Sequence, residues 1–530
     1  MIYNFTMKKI FYFIVLLFVC SQTIFAQTPT WSGKIATIVY TNCAKCHRTN
    51  GIAPFSLLTY QDAYAHRLSI QSSVNSGYMP PWPPDVTYSH LAFERVLSVS
   101  DKKAINDWVN GAAPSGDLSA APPTPVYSNA GEIAIPDLKL IAPTYSVNTP
   151  TDLYRCFAIP SNLLNDQFVT EIEVIPGNRK VVHHVLAYQD TTQALLKQNG
   201  GDGKPGYTNF GGTGSSLSKL IAAWVPGQGK FSFPKGMGVK LTKNSVIVLQ
   251  VHYPGGVTNE IDSTKIVFKY AGAGVTLREV RSEPILNHLS NINAPINIPA
   301  GSTRSYKEKF TIPNLGFDIS VLGIAPHAHL INKTFKVYAV LPSGDTLKAI
   351  NIPNWDFHWQ GFYSFRNVQR IPGGTTLYAE ASYDNTANNP ANPNSPPKNV
   401  VAGEATTDEM MITYFQFLAP YQAGDENIVI DSSPIVSDVT DIERAKVSLS
   451  LSPNPMQQQS TLQFNLPTDD ALSIDIFNVS GELIKSIAHT QKFLSGSNQF
   501  QMNVADIPTG IYFVRIQSDK FYGVEKLIRQ

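Results

Sequence analysis

At 530 residues the chain is too long for one domain, and its length predicts roughly three or four. Its formal net charge of +1 gives no electrostatic case for nucleic acid or an anionic membrane as a partner. Only 15% of the residues are charged and the chain contains 37 Pro and 35 Gly, which favours a β-rich, loop-rich extracellular protein over a helical one.

The N-terminus has the features of an export signal. Two lysines precede an apolar run from Ile10 to Cys20, and the following "SQTIFA" offers a cleavage site after Ala26. The run is too short to remain as a membrane-spanning helix. Cys20 would suit a lipoprotein signal, but Val19 is bulkier than the small residue that such signals prefer. We therefore predict a cleaved signal peptide over residues 1–26 and no transmembrane span in the mature protein.

Removal of the signal leaves Cys43, Cys46 and Cys156, which are too few for a disulfide framework in a protein of this size. Cys43 and Cys46 belong to "CAKCH", the C-x-x-C-H pattern of covalent c-type haem attachment, in which His47 lies under the iron. A redox-active C-x-x-C motif and a chance match are the alternatives. The surrounding residues 27–120 have helix-like apolar spacing and resemble small cytochrome c domains, whose usual role is electron transfer.

The predicted haem needs a sixth ligand downstream of this motif. Met79 lies in the proline-stiffened loop "SGYMPPWPPD" and is the predicted ligand, because methionine opposite histidine tends to raise the potential of a haem. His66 and His90 are the competitors. We expect His66 at the surface of a helix and His90 in a polar loop.

From about residue 130 to 430, short alternating or β-branched runs are separated by Gly, Pro and Asn turns, which predicts antiparallel β-sandwiches. Three histidine features lie in this region: His183 and His184 in "KVVHHVLAY", His252 in "VLQVHYPGG", and His327 and His329 in "GIAPHAHL". A thioether candidate, Met410, follows in "TTDEMMITYF".

The spacing of these histidines indicates metal binding. Residues i and i+2 of a strand share a face, so His327 and His329 can bind one ion directly. His183 and His184 point to opposite faces of a regular strand, so a shared ion requires the strand to bend, bulge or end there. Imidazole suits copper and zinc, and thioether favours Cu(I), so this set without thiolate indicates redox copper. A single histidine is more often a packed core or turn residue, but the three features together favour metal.

These motifs resemble, in order and spacing, the copper type II ascorbate-dependent monooxygenases over roughly residues 135–430. The resemblance implies two consecutive jelly-roll β-sandwich domains, each with one copper ion. It implies the ligands His183, His184 and His252 for an electron-transfer copper, and His327, His329 and Met410 for an oxygen-binding copper. Tyr414 matches a tyrosine of the family. The implied reaction is hydroxylation of an unactivated C–H bond by O2, with two electrons from ascorbate or another reductant.

The chain departs from the peptide-amidating members of this family. Those enzymes grip the substrate carboxylate with an arginine and an asparagine at the positions held here by Ala325 and Ile412. Peptide amidation is therefore not expected, and a more apolar substrate is favoured. Animal members also contain many disulfides, whereas this region contains only Cys156, so apolar burial must stabilise the fold. We expect His358 to fill an aromatic core rather than wall a pocket, and His288 to lie in a loop.

The last residues of the chain, 445–530, resemble the C-terminal sorting domain of the type IX secretion system. The matching motifs are "SPNP", "IFNVSGELI", "LSGSNQFQMNVADIPTGIYFVRI" and the terminal "EKLIRQ". A generic carbohydrate-binding or immunoglobulin-like β-domain is the alternative. The resemblance implies a Bacteroidetes-type bacterium, the type IX machinery as a partner, and a location at the cell surface or in the medium.

The sequence thus predicts a multidomain protein. Its predicted parts are a signal peptide (1–26), a small all-α cytochrome c-like domain (27–120), two mainly antiparallel jelly-roll β-sandwiches (130–282 and 283–432), and a small β-sandwich sorting domain (445–530). The predicted function is that of a secreted copper monooxygenase whose electrons pass through the haem. A non-catalytic haem and copper protein is the alternative, and a zinc hydrolase is disfavoured because no carboxylate base accompanies the histidines.

Overall fold

The computed structural model describes residues 28–127, 131–289, 292–435, 445–478, 483–518 and 520–530. The predicted signal peptide, residues 1–26, lies outside this part of the chain. Residues 28–97 and 101–435, where described, form one compact unit, and those from 445 onward form a second. Among the described residues, every helix is too short or too polar to cross a membrane.

The described part of the N-terminal region contains four α-helices. Its helices are α1 (Ala36–Asn42), preceded by the π-helical turn Trp31–Ile35, then α2 (Tyr60–Ala65), α3 (Arg67–Asn75) and α4 (Val99–Asn110). A capping box starts α2, since Thr59 and Asp62 each accept the backbone N–H of the other. Trp31 and Trp108 are almost fully buried at the centre of a small apolar core. The predicted helical character is confirmed, but residues 76–98 are irregular.

The first β region contains two mainly antiparallel sheets whose inner faces share one apolar core. Its strands are β1 (Leu138–Ile141), β2 (Tyr145–Thr149), β3 (Leu153–Pro160), β4 (Gln167–Ile175), β5 (His184–Asp190), β6 (Tyr207–Thr208), β7 (Lys219–Trp224), β8 (Phe231–Ser232), β9 (Met237–Leu241), β10 (Val246–Tyr253), β11 (Val257–Asp262), β12 (Lys265–Tyr270) and β13 (Arg278–Glu279). One sheet has the order β1-β12-β4-β9-β13 with β8 beside β4, and the other has the order β6-β3-β10-β5-β7. Strands β2 and β11 form a separate pair.

The position of β10 explains its sequence. It is the middle strand of its sheet, and each of its residues is buried, as the apolar run "VIVLQVHY" predicts for a central strand. Cys156 on the neighbouring β3 is also buried and unpaired, so this sandwich is held by apolar burial as expected.

The second β region also consists of two antiparallel sheets around a core of its own. Its strands are β14 (Arg281–Asn287), β15 (Asn297–Ile298), β16 (Thr303–Thr311), β17 (Ile319–His327), β18 (Asn332–Val340), β19 (Thr346–Ile352), β20 (Tyr363–Ile371), β21 (Thr376–Asp384), β22 (Val400–Val401) and β23 (Ile412–Leu418). The sheet orders are β14-β23-β17-β20 and β16-β21-β18-β19, with β15 and β22 as a separate pair.

Short 3-10 turns of this unit lie at Leu118–Ala120, Ala194–Gln198, Phe357–Trp359 and Asp425–Asn427.

The three regions of this unit share contacts. Leu322, Val368 and Leu418 of the second β region belong to the apolar core of the first. The irregular segment after α3 lies along the second β region, where the N–H of Asp85 donates to the carbonyl oxygen of Asn351 at 2.8 Å and that of Ala92 to Ser364 at 2.8 Å. The N-terminal region is therefore attached to the β regions by backbone hydrogen bonds as well as by the chain.

The second unit is a β structure with a separate apolar core. Its strands are β24 (Ala445–Lys446), β25 (Leu449–Ser452), β26 (Gln459–Leu466), β27 (Asp470–Asn478), β28 (Leu483–Phe493), β29 (Gly496–Asn503), β30 (Gly510–Gln517) and β31 (Phe521–Arg529). They form the sheets β24-β31-β30-β27-β28 and β25-β26-β29. The predicted mainly β, multidomain architecture with a short helical N-terminal region is confirmed.

Candidate metal sites

Three imidazoles of the first β region converge on one point. The Nδ1 atom of His183 lies 3.1 Å from the Nδ1 atom of His184 and 3.1 Å from the Nδ1 atom of His252. The candidate ligand atoms of the three residues lie within 4.8 Å of one another. Metal–imidazole bonds of about 2.0–2.1 Å leave ligand nitrogens at such separations. The cluster can therefore hold one ion.

The neighbouring residues His183 and His184 meet because the strand begins between them. Strand β5 starts at His184, and His183 belongs to the preceding turn. The N–H of His183 donates to the carbonyl oxygen of His252 at 2.9 Å, while His184 and His252 are register partners in adjacent strands. Asn178 anchors the turn through a 2.8 Å hydrogen bond from its N–H to Asp262. The prediction that the strand bends, bulges or ends at this pair is confirmed.

The environment keeps His183 and His184 of this cluster uncharged. Burial, with help from the neighbouring imidazoles, lowers the pKa of His183 to about 3 and holds the pKa of His184 well below its usual value. A neutral imidazole has a lone pair on one ring nitrogen, whereas a protonated imidazole has none. The arrangement therefore suits the binding of a cation.

Asp152 and Tyr154 support His252 from behind. The ring of Tyr154 stacks on the His252 ring with centroids 4.3 Å apart. Asp152 has one carboxylate oxygen 3.7 Å from His252 Nε2, and it also accepts the Gly255 N–H at 2.9 Å and the Thr406 hydroxyl at 3.0 Å. The contact with His252 is the main cause that holds the pKa of Asp152 well below its usual value. A carboxylate behind a ligating histidine orients the ring, and no local pattern in the sequence points to Asp152.

A second pair of imidazoles lies at the end of β17. This strand ends at His327, and the ring of His329 lies 5.3 Å from that of His327. Nδ1 of His327 is 2.7 Å from Oε1 of Gln360, and Nδ1 of His329 is 3.1 Å from the carbonyl oxygen of Asp408. Because both partners accept, each Nδ1 carries the hydrogen and each Nε2 keeps the lone pair. Burial lowers the pKa of His327 to about 4 and that of His329 to about 3.

Glu409 ties the methionine segment to the turn that contains His329. Its buried carboxylate accepts the N–H groups of His329 and Ile331, each at 2.8 Å, and that of Met410 at 3.2 Å. Burial raises the pKa of Glu409 to about 8, against the lowering effect of these donors. Met410 is 8% exposed, and its carbonyl oxygen accepts the Tyr383 hydroxyl at 2.8 Å. The position of Glu409 directly before Met410 in "DEM" is the one sequence signal for this contact.

Strand β23 places Tyr414 on the same sheet as the second pair. Tyr414 is the register partner of Ala325, and Ile412 is the partner of His327. Burial raises the pKa of the Tyr414 hydroxyl to about 12, so this group stays protonated. Ala325 and Ile412 thus lie in the same pair of strands as Tyr414. These are the two positions at which the peptide-amidating enzymes grip the substrate carboxylate.

Of two further histidines, His288 lies in a turn as expected, whereas His358 differs from the expectation. His288 lies in a turn but is only 6% exposed, and its Nδ1 is 3.2 Å from the carbonyl oxygen of Met411. His358 does not fill a core, since its side chain is 68% exposed and its Nδ1 lies 2.7 Å from Asp356. The aromatic neighbours of His358 in sequence fold inwards, and a short 3-10 turn directs the imidazole outwards.

Phe357 lies between the two histidine clusters. Its ring stacks on that of His183 with centroids 5.7 Å apart, and it lies 6.5 Å from the ring of His252. On the other side, the same ring lies 6.1 Å from that of His329. Phe357 is 8% exposed, so an apolar ring fills the space between the clusters. No local sequence pattern marks Phe357 as a residue between two sites.

The "CAKCH" segment forms a turn directly after α1. The N–H groups of Cys46 and His47 both donate to the carbonyl oxygen of Cys43, at 3.1 and 2.9 Å, which places the two thiols and the imidazole along one helical turn. Both thiols are unpaired, and burial raises the pKa of Cys43 to about 12. The buried Nδ1 of His47 has no hydrogen-bond partner within the described residues. This donor set fits a c-type haem.

The sixth-ligand candidates lie in different surroundings. Met79 is partly buried beyond α3, and its N–H donates to Ser73 at 3.1 Å. His66 is not a free surface residue: its ring stacks on Phe55 at 3.8 Å, and Phe55 lies 4.7 Å from the ring of His47. Met79 stays a prediction, and His66 is a stronger competitor than the sequence indicated. His90 lies 3.2 Å from both carboxylate oxygens of Glu94.

Three segments of the chain match protein family models. Residues 138–257 match the N-terminal domain of the copper type II ascorbate-dependent monooxygenases, and residues 299–429 match their C-terminal domain. Residues 450–530 match the secretion system C-terminal sorting domain. Tyramine beta-hydroxylase of Caenorhabditis briggsae is 23% identical over 256 residues, which cover 46% of this chain and 41% of that protein. The matched region thus spans less than half of that relative.

Comparison with solved structures adds no functional argument. Beta-glucuronidase of Faecalibacterium prausnitzii aligns with 44% of this chain and 38% of its own at 10% identity and a TM-score of 0.13. That of Ruminococcus gnavus aligns with 48% of this chain and 44% of its own at 11% identity and a TM-score of 0.14. Scores this low carry no inference about fold or activity.

Proposed function

Because the chain carries both domains of the copper type II ascorbate-dependent monooxygenase family, we propose that it hydroxylates a C–H bond of a small or peptide-like organic substrate with O2. The observation that carries this proposal is the pair of dissimilar imidazole clusters in one compact unit. One cluster meets through the Nδ1 atoms of three histidines, and the other presents two Nε2 atoms beside a methionine segment. The relative named tyramine beta-hydroxylase supports a small organic substrate.

Each cluster would hold one copper ion. The ligands would be His183, His184 and His252 for the electron-transfer ion, and His327, His329 and Met410 for the oxygen-binding ion. Neutral imidazole suits copper in both oxidation states, and the thioether at the second site favours Cu(I). When bound, copper supplies the one-electron redox chemistry with which this family reduces O2.

The surrounding residues of the chain hold these ligands and restrict access. Gln360 fixes the tautomer of His327, and Glu409 fastens the His329 turn to the Met410 segment. Phe357 keeps an apolar ring between the clusters and so limits the water there. Tyr414, with a protonated hydroxyl, would face the substrate as a hydrogen-bond donor. With alanine and isoleucine at the clamp positions, an uncharged or weakly polar group would bind there.

A c-type haem held by Cys43, Cys46 and His47, with Met79 as sixth ligand, would supply electrons to the first copper site, in place of or alongside diffusible ascorbate. The contact of this region with the β regions supports the proposal, because tethering gives a donor a high effective concentration. In rapid-mixing experiments, reduced haem in the purified protein should reoxidise only when both copper and O2 are present. Haem that stays reduced under those conditions would contradict the proposed haem relay. It would not affect the monooxygenase proposal.

The C-terminal sorting domain implies secretion or display at the cell surface of a Bacteroidetes-type bacterium. We propose the five-part organisation given above, with a signal peptide over residues 1–26, the copper domains at 130–282 and 283–432, and the sorting domain at 445–530. The type IX machinery would be the partner for export. N-terminal sequencing of the secreted protein should begin after Ala26.

A non-catalytic haem and copper protein is the alternative. Copper content and copper EPR of the purified protein, followed by O2 uptake against a panel of amines, aromatic alkanes and peptides, separate the two proposals. About two coppers per chain and O2 uptake matched by hydroxylated product support the enzyme. Zinc in the sites, or copper without turnover on any substrate, would contradict it.

A further inference from the structure

A cavity of about 200 Å³ lies between the two sheets of the second β region. All eight strands of these sheets contribute side chains to its wall, and every described residue that lines it is apolar or aromatic. Four of them are the phenylalanines Phe310, Phe365, Phe415 and Phe417. A dry cavity of about 150 Å³ with such a lining holds benzene or xenon. The cavity is therefore large enough for a hydrocarbon group.

The cavity lies where small side chains meet a bulge in β19. The ladder between β18 and β19 shifts its register between Val337 and Tyr338, and Ala349 is the extra residue of β19 at this point. A bulge bends its strand locally. Ala349 and Ala339, on the neighbouring strand β18, both line the cavity. Two methyl groups therefore lie where longer side chains would fill the space.

This cavity is separate from the second pair of histidines. Val321 lines it near the start of β17, whereas His327 ends that strand. Six residues of strand, at about 3.3 Å each, put roughly 20 Å between the two positions. A ligand in this cavity would therefore not contact the proposed copper ligands, and the inference that follows does not depend on the proposed function.

Exposed apolar side chains lie in the loop next to the cavity. Ile312 and Pro313 line the cavity and begin the loop between β16 and β17, in which Leu315 is 64% exposed and Phe317 is 41% exposed. Water inside an apolar cavity lacks the polar partners that it needs, and an empty cavity loses dispersion contacts along its wall. A hydrocarbon chain suits both features, because it can fill the cavity and extend outwards along the apolar loop.

We propose that this cavity binds the alkyl chain of a single-chain amphiphile, such as a fatty acid or a long-chain alcohol. The volume is little more than a benzene-sized group needs, so it admits one chain and not the two chains of a membrane lipid. Leu315 and Phe317 would contact the part of the chain that emerges, and the polar head group would stay in water.

Isothermal titration calorimetry of the full chain with 1-butanol, 1-hexanol and 1-octanol tests the site. The affinity should rise about fourfold with each added methylene until the cavity is filled. Ala339→Leu fills the cavity and should weaken the binding of 1-octanol about tenfold or more. Val340→Leu is the matched control and should leave binding unchanged, because this next residue of β18 faces the outer side of the sheet.

Ala349→Leu repeats the test from β19 if Ala339→Leu does not fold. The proposal is overturned if no alcohol binds, if the affinity does not depend on chain length, or if the folded leucine variant binds 1-octanol as tightly as the native chain. Sedimentation with phosphatidylcholine vesicles, without binding of the free alcohols, would also overturn it and would identify a membrane surface as the partner. Copper content and O2 uptake are measured separately, so failure here does not touch the copper proposal.

Discussion

The Nδ1 atoms of His183 and His184 lie 3.1 Å apart although the two residues are adjacent in the chain. In a continuous strand their side chains would point to opposite faces of the sheet. They meet because β5 begins at His184 and His183 remains in the turn. The first metal site therefore depends on where a strand starts as much as on the residues that form it.

Replacing His252 by alanine should remove copper from the first site alone. His252 supplies one of three convergent nitrogens, and the remaining two would bind an ion weakly. We expect the copper content to fall from about two to about one per chain, with one of the two copper EPR signals lost. His358→Ala is the control, because this imidazole lies close to His183 but is exposed and paired with Asp356. Loss of copper in the control would make His358 a ligand and would contradict our assignment.

Met410→Leu should weaken Cu(I) binding at the second site by about tenfold or more, because the thioether is the ligand that selects Cu(I). Binding of Cu(II) should change less, since both imidazoles remain. Competition with a Cu(I) chelator measures the effect. The control is Met411→Leu, at a neighbouring methionine that is fully buried in the core. Equal Cu(I) affinity in the Met410→Leu variant would exclude Met410 as a ligand.

Glu409→Gln should lower the copper affinity of the second site although Glu409 is not itself a proposed ligand. An amide cannot accept from all the N–H groups that converge on Glu409, so one donor loses its partner, at a cost of about 1–3 kcal/mol. We expect a lower midpoint of thermal unfolding and copper affinity about 10–100-fold weaker at this site. Glu404→Gln, an exposed change in the same loop, should have neither effect. A variant with normal copper affinity would show that the His329 turn holds without this carboxylate.

The contribution of Glu308 to the stability of the second β region should fall as the pH rises from about 5 to 8. Its carboxyl is fully buried with no hydrogen-bond partner in the described residues, and burial raises its pKa to about 8. Between its unfolded and folded pKa values the folded state binds the extra proton. The contribution to the free energy of unfolding therefore decreases by up to about 1.4 kcal/mol per pH unit.

Glu308→Gln tests this directly. The midpoint of thermal unfolding of the variant, relative to that of the native chain, should rise as the pH increases over that range. Glu283→Gln, on the opposite sheet, should leave the slope unchanged. Parallel pH profiles for the native chain and the Glu308 variant would mean that this carboxyl titrates normally.

The identity of the sixth haem ligand can be decided by two single variants of the haem-loaded chain. With Met79 as the ligand, Met79→Ala should convert the ferric haem from low to high spin in its absorption spectrum, and His66→Ala should not. The stacking of His66 on Phe55, beside His47, makes the second variant an informative comparison. A spin change in His66→Ala alone would transfer the ligand role to His66.

The sequence was enough to predict which histidines come together, but not which residues surround them. The clusters and the antiparallel sheets could be predicted because their signals are local in the sequence. These signals are the H-x-H spacing, the apolar run of β10 and the adjacent histidines at the start of β5. Phe357 and Asp152 have no such local signal, because each acts through contacts with distant segments of the chain. His358 was wrongly expected in a core, since the aromatic residues around it gave the segment an apolar character that its own side chain does not share.

Leu322, Val368 and Leu418 extend the apolar core of one β region into the next. Interdigitated side chains of this kind resist sliding, because any shift would open voids in a close-packed interior. We therefore expect the separation between the two histidine clusters, which both contact the ring of Phe357, to stay fixed. If each cluster holds the proposed copper ion, an electron would cross between them over a fixed distance, and turnover would not have to wait for the two β regions to close.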